Sequence, residues 1–277
     1  MTERVLLAGC GDLGLRVARQ LQGRGDSVWA LRRTPPVGDT SGIHWLRADL
    51  RQAETLRDLP PGITRLVYLP TPDRRDEMAY RATFVDGLRH LLQALDTGTL
   101  RRVLFVSSTA VYGAHGGEWV DETTAPAPPA FNGKALLDAE HWLAAQPVSS
   151  VTLRLAGLYG PGRLQLVERL RAGQVQVPRE HPHWANRIHV DDAAVAITHL
   201  LTLPAAESLY LGVDDTPLPL DVLYDQLARL AGAPLPAEGP APAGIGSKRL
   251  GNGRLRASGW VPQWPDSRAA YAALLDK

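Results

Sequence analysis

The chain has 277 residues, 44% of them hydrophobic and 21% charged, with 26 glycines and 22 prolines, a balance that excludes disordered, collagen-like and disulfide-scaffold classes and allows one large domain or two modest ones. Its 30 basic residues offset 29 acidic ones, for a formal charge of +1, so no broad field draws it to nucleic acid or an anionic membrane. Cys10 is the single cysteine, which excludes an internal disulfide and a cysteine-rich zinc site and fits a reducing compartment.

Taken in order, short apolar runs alternate with longer periodic ones. Residues 5–8 (Val5-Leu6-Leu7-Ala8) predict a buried strand, followed by a glycine turn and a helix carrying Leu15, Val17, Ala18 and Leu21. Further strands are expected at 27–31, 43–46, 65–69, 103–106 and 151–155. Between them, 77–95 places Tyr80, Phe84, Leu88, Leu91, Leu92 and Leu95 at helical spacing, and 133–145 does the same with Ala135, Leu136, Ala139, Trp142 and Leu143. Buried strands alternating with helices imply an α/β, doubly wound (Rossmann) parallel sheet. Downstream, helices are expected at 164–172, 191–203 and 218–231 and a short strand at 209–212, whereas the proline-rich stretches 124–130 and 233–243 read as loops. The expected division is a dinucleotide-binding domain over 1–155 and a smaller C-terminal substrate region over 156–277, with 186–203 returning to pack on the sheet.

Leu7-Ala8-Gly9-Cys10 has the look of a lipoprotein cleavage site, but nine residues, Glu3 and Arg4 among them, precede the cysteine, too few for a secretory signal with its own apolar stretch. No apolar run approaches the roughly 20 residues that cross a bilayer. A soluble, cytoplasmic protein with no membrane and no nucleic-acid partner is expected.

Gly9-Cys10-Gly11-Asp12-Leu13-Gly14 is a Gly-x-Gly-x-x-Gly between the first strand and the first helix. The first glycine allows the tight turn, the second lets a pyrophosphate approach the backbone, and the third lets helix and strand pack closely. Phosphates then rest on the helix N-terminus, where unpaired N–H groups favour negative charge. Binders of NAD usually carry an acid about 20 residues further on, for the ribose hydroxyls. Here the second strand runs instead into Arg32 and Arg33, whose guanidinium forks suit a 2′-phosphate. NADP is therefore expected over NAD, which stays open, as does a pair of ordinary surface arginines in a chain with only three lysines, Lys134, Lys248 and Lys277. Asp49 and Leu50, after the third strand, are expected beside the adenine, and Leu69 and Pro70, after the fourth, complete the expected cofactor-binding set.

Three segments then point to one family. The run from Val106 through Ser107, Ser108, Thr109, Ala110, Val111 and Tyr112 to Gly113, the run from Leu153 to Gly162, and Asn186-Arg187-Ile188-His189-Val190-Asp191-Asp192-Ala193 resemble, in that order, segments of the extended short-chain dehydrogenases/reductases, the NAD(P)-dependent epimerase/dehydratase-like group. The resemblance runs from residue 4 to about 232. It implies that Ser108 is the active-site hydroxyl and that Lys134 binds the nicotinamide ribose, with Thr109 and Arg187 near the substrate. In the family a tyrosine stands four residues before that lysine, and here the position is Ala130, as in the atypical branch of the superfamily. Tyr159 is the expected substitute among several candidates that include Tyr112 and His115.

The expected function is an NAD(P)-dependent oxidoreductase or epimerase/dehydratase-like enzyme acting on a small carbonyl, hydroxyl or sugar-type molecule. The alternative is a non-catalytic NAD(P)-binding module that has lost its acid/base tyrosine. His181, His183 and His189 lack acidic or cysteine ligands at matching spacing, so no metal is expected. Monomer and homodimer both fit the apolar stripes.

Overall fold

The computed structural model describes residues 2–242 and 244–276; the last residue of the proline-rich stretch 233–243, and Lys277, lie outside them. The apolar runs become seven strands: β1 (Arg4–Ala8), β2 (Ser27–Arg32), β3 (His44–Arg47), β4 (Arg65–Tyr68), β5 (Arg102–Ser108), β6 (Ser150–Leu155) and β7 (Leu209–Gly212). They form one sheet in the order β7-β6-β5-β4-β1-β2-β3. The pairings β2–β3, β1–β2, β1–β4 and β4–β5 are parallel, and Val5, Leu6, Leu7 and Ala8 at the sheet centre are all buried, as a strand covered on both faces requires. The chain moves outward in opposite directions from β1 and β4, so their carboxyl ends form the switch point at which open α/β sheets bind ligands.

Two compact units emerge. The first contains the chain up to Val111, Ala130–Arg154 and Ala194–Tyr210; the second contains Tyr112–Pro129, Leu155–Ala193 and Leu211 onward. This division differs from a single cut at 155, because Tyr112–Pro129 groups with the downstream chain. Within the first unit the return is secured by Arg102 of β5. Its guanidinium donates to the carbonyls of Leu200 and Leu203, at the end of the helix Val190–Thr202, where orphaned carbonyls and the helix dipole favour a cation. Thr198 Oγ1 on the same helix donates to Gln20 Oε1 at 2.9 Å.

The apolar stripe expected as one helix over 77–95 is interrupted. Helices Glu77–Tyr80 and Gly87–Ala94 flank a π-helical segment, Arg81–Asp86. Tyr68 at the end of β4 donates its hydroxyl to Thr83 O in that segment at 2.5 Å. A Cβ on Gly87 would lie 2.7 Å from the Tyr68 oxygen, so the phenol occupies space that a side chain at 87 would take. π segments of this kind often mark functional sites, and Thr83 lines the cavity described below.

Beneath the end of β5, Ser107 donates to Glu140 Oε1 at 2.5 Å, and Arg154 of β6 donates to both Glu140 oxygens. All three side chains are buried. The helix Phe131–Ala144, which carries Glu140, is thereby fixed to both strands. Glu140→Ala removes the carboxylate from a buried guanidinium and is expected to cost about 3–5 kcal/mol. A loss below about 1 kcal/mol in chemical denaturation would contradict this role.

The second unit is built around Tyr159, Val167, Leu170, Leu223, Leu227 and Tyr271, among others, with helices Gln165–Arg171, Leu220–Leu230 and Ser267–Leu275. Short pairings that the sequence pattern did not reveal join Trp119–Val120 to Arg249–Leu250, and Ala237–Glu238, inside an expected loop, to Gln176–Val177. Asp192 accepts from the backbone of Gln263 at 2.7 Å and of Trp264 at 2.9 Å. Asp214 is only 2% exposed, and its Oδ2 has no hydrogen-bond partner among the described residues. Burial pushes its carboxyl up to about 8; Asp266 and Asp215 add to the rise, while the Thr216 amide and Arg187 oppose it. A carboxyl pKa raised on folding means that the folded state binds more protons, so the stability is full below the unfolded pKa and is lost as pH rises through about 8. Asp214→Asn is therefore expected to gain in melting temperature relative to the natural chain between about pH 5 and about pH 9; parallel melting curves across that range would rule the effect out.

Candidate dinucleotide site

The glycine loop closes over the carboxyl end of β1. Gly9 has φ +91°, and a Cβ there would lie 2.4 Å from Pro70 Cα, so only glycine allows the two loops to touch. The Gly9 and Cys10 amides both donate to Leu31 O, drawing the turn onto β2. A Cβ on Gly14 would lie 3.1 Å from Cys10 Sγ, which accounts for the third glycine by helix–strand packing. Burial pushes the Cys10 thiol up to about 11, so it is an inert wall residue.

Gly11 differs from the other two, because a Cβ there would meet nothing within 4 Å. It faces a cavity of about 480 Å³, and among the described residues no side chain caps the helix Asp12–Gly23 that starts behind it. An open approach to the backbone at an uncapped helix start fits a pyrophosphate. Asp12 and Leu13 form the first turn of this helix and do not line the cavity: Asp12 is ion-paired with Arg16 at 3.1 Å, and Leu13 is buried. Leu69 is likewise buried and bonds β1 through its amide, whereas Pro70 reaches the cavity.

The other end of the cavity is lined by Arg32, Arg33, Thr34, Asp49, Leu50, Arg51, Thr71 and Asp73. Arg32 and Arg33 are where the end of β2 was expected to place them. Arg51, Thr71, Thr83 and Asp73 were missed, and of these only Arg51 had a local signal, as the residue after Asp49-Leu50. Arg51 donates to Asp49 through its amide, Nε and Nη2 and to Asp73 through Nη1 at 3.1 Å. Arg33 forks onto both Asp73 oxygens. These bonds hold the Asp73 and Asp49 carboxyls below their ordinary value and raise both arginines. Neither carboxylate is free of an arginine.

At the end of β5, Ser108 is half-buried. Its Oγ accepts from the Ala110 amide at 3.2 Å, which leaves the hydroxyl hydrogen available to donate. The turn Thr109–Val111 packs on the helix Phe131–Ala144. Lys134 is exposed in the first turn of that helix. Ala130 lies before the helix as its extended N-cap, accepting the Lys134 amide at 3.1 Å.

The expected substitutes for the tyrosine fare differently. Tyr159 is a correction: it is 1% exposed, stacks on Tyr271 with centroids 4.6 Å apart, and belongs to the core of the second unit. Burial, reinforced by Asp214, pushes its phenol well above the ordinary value, and a phenol so placed is no acid. Tyr112 donates to Asp121 O at 3.0 Å. Arg187, expected near substrate, lies over Gly157 and donates to the Tyr224 hydroxyl at 3.3 Å, within the second unit. Among the described residues no three His, Cys, Asp or Glu side chains are grouped to hold a metal, and no helix is long and apolar enough to cross a membrane.

Comparison with known proteins bears on the same elements. A model of the NAD dependent epimerase/dehydratase family matches residues 5–210. Protein YeeZ of Escherichia coli (strain K12) is 32% identical over 236 residues, covering 83% of this chain and 84% of its own. A Streptomyces protein named 3-diazoavenalumate denitrifying reductase is 28% identical over 313 residues, covering 96% and 98%. The solved structure of a Methylobacillus flagellatus protein, provisionally assigned as an NAD-dependent epimerase/dehydratase, aligns with a TM-score of 0.84 at 38% identity, covering 100% and 98%. The UDP-glucose 4-epimerase of Thermus thermophilus, solved with NAD, shares the fold, with a TM-score of 0.79 at 23% identity over 99% and 98%. A match over most of the length, carried by the sheet and loop that build the crevice, makes this chain a member of the NAD dependent epimerase/dehydratase family.

Proposed function

We propose that the chain is an NADP-preferring oxidoreductase or epimerase-like enzyme acting on a small carbonyl, hydroxyl or sugar-type molecule. The observation that carries the cofactor preference is the arginine-lined end of the cavity. Arg32, Arg33 and Arg51 gather there, and both nearby carboxylates are bound to arginine, whereas a ribose 2′-hydroxyl calls for a free acid. The Streptomyces relative's name supports reductive chemistry. The UDP-sugar proteins among the structural neighbours are too distant to pass on their substrates.

When bound, the nicotinamide supplies and accepts hydride. Gly11 and the helix start behind it would hold the pyrophosphate, and Lys134 the nicotinamide ribose. Ser108 donates its hydroxyl hydrogen to the substrate oxygen, stabilising negative charge as it develops there. Lys134 supplies positive charge from the same unit; Ala130 has no proton to give.

A second interpretation, a dinucleotide-binding module without turnover, is favoured by Ala130 and by the burial of Tyr159. Hydride exchange from stereospecifically labelled NADPH separates the two: exchange eliminates the module, and its absence across a broad carbonyl screen eliminates the enzyme. Ser108→Ala is expected to lower kcat about 100-fold, within the range for removal of one oxyanion donor, with unchanged NADPH affinity and partial recovery in Ser108→Thr. An unchanged kcat removes Ser108 from the mechanism. Arg33→Ala is expected to weaken NADPH at least tenfold, the loss of a charge-assisted hydrogen bond, with little change for NADH; equal affinity of the natural chain for the two cofactors would overturn the preference.

A further inference from the structure

We propose that Asp73 is a displaceable latch across the adenosine end of the cavity. It is a carboxylate occupying the position of a 2′-phosphate, and its release sets how strongly the chain discriminates NADP from NAD. The proposal rests on the cavity being the cofactor site argued above.

Asp73 lies 40 residues from Arg33 and 22 from Arg51 in sequence, so the tertiary fold alone brings the three together. Both guanidinium groups converge on one oxygen, Oδ2, while Arg33 also takes Oδ1. A fork from Arg33 and a further N–H from Arg51 on a single small anion is an arrangement that a phosphate monoester could also take up.

The two acids at this end are not equivalent. The Asp49 side chain is 16% exposed and is tied within its own turn by the Arg51 amide, Nε and Nη2. The Asp73 side chain is 38% exposed, and among the described residues its hydrogen bonds are to the long, flexible side chains of Arg33 and Arg51. Ion pairs so accessible to water contribute little and are readily exchanged.

Charge gives the direction of the exchange. Arg32, Arg33 and Arg51 against Asp49 and Asp73 leave one net positive charge with the latch closed. Turning Asp73 out to water leaves two, which matches a phosphate monoester carrying about −1.5 to −2 near neutral pH. A cofactor with a bare 2′-hydroxyl does not offer that exchange and leaves the latch closed. Asp73 is thus a brake on NADP affinity and a specificity-determining residue, although it makes no contact with the phosphate once displaced.

The test is calorimetric titration of the full chain and of Asp73→Asn and Arg51→Gln with NADPH, NADH, 2′,5′-ADP and 5′-AMP. Asp73→Asn keeps the shape and removes the charge. It is expected to tighten NADPH and 2′,5′-ADP about three- to tenfold while leaving NADH and 5′-AMP within about twofold. Arg51→Gln is expected to weaken only the two 2′-phosphorylated ligands. The latch is overturned if Asp73→Asn leaves the NADPH-to-NADH affinity ratio within about twofold of the natural chain, or shifts both cofactors alike. The natural chain's own ratio tests the NADP preference separately. A chain that prefers NADH, yet shifts toward NADPH in Asp73→Asn, keeps the latch and loses the preference.

Discussion

The contact between Gly9 and Pro70 is the constraint from which the crevice follows. With φ +91° and no room for a Cβ against Pro70 Cα, the loop after β1 lies flat on the loop after β4. The loops that leave the paired strands β1 and β4 therefore meet above them. Because the turn is that tight, the helix behind it starts at Asp12, with Gly11 before it offering no side chain to cap the helix and leaving the approach open. A larger residue at 9 would lift the loop and move the helix start, and the anion-binding geometry would go with it.

The carboxyl end of β5 is fixed by a different device. Glu140 receives Ser107 and Arg154 in the buried layer next to β5, so the strand that ends in Ser108 and the helix that begins beside Lys134 are held by one carboxylate. Burying such a group is costly unless every partner is in place, and here the partners come from two strands. Positioning residues of this kind touch no ligand, yet they determine where the hydroxyl and the ammonium stand. The second unit treats buried polarity differently: among the described residues the Tyr159 hydroxyl and Asp214 Oδ2 have no hydrogen-bond partner, and burial raises both groups.

Much of this is legible in the order of residues. The glycine spacing after an apolar run gave the loop, because each glycine answers a local steric demand. Most of the strands appeared as apolar runs because a strand covered on both faces is mostly apolar, with Arg102, Ser107 and Arg154 as paired exceptions. Arg32 and Arg33 were visible because they directly follow the apolar run of β2. What failed did so for reasons beyond local pattern. The π segment keeps the apolar stripe of 77–95 while shifting its register, so Thr83 gave no sign of reaching a cavity. Tyr159 looked like a tyrosine at a strand end; only packing against Tyr271 turned it into core.

The order of residues alone determined the fold class, the glycine loop, the arginines of the second strand and the absence of a tyrosine at 130, since each depends on neighbours within a few positions. Only the tertiary structure decided which charges meet. Asp73 joins Arg33 and Arg51, Arg102 caps a helix about a hundred residues away, and Asp214 loses its water, because charge pairing and desolvation depend on distance in space and on burial, neither of which sequence separation specifies.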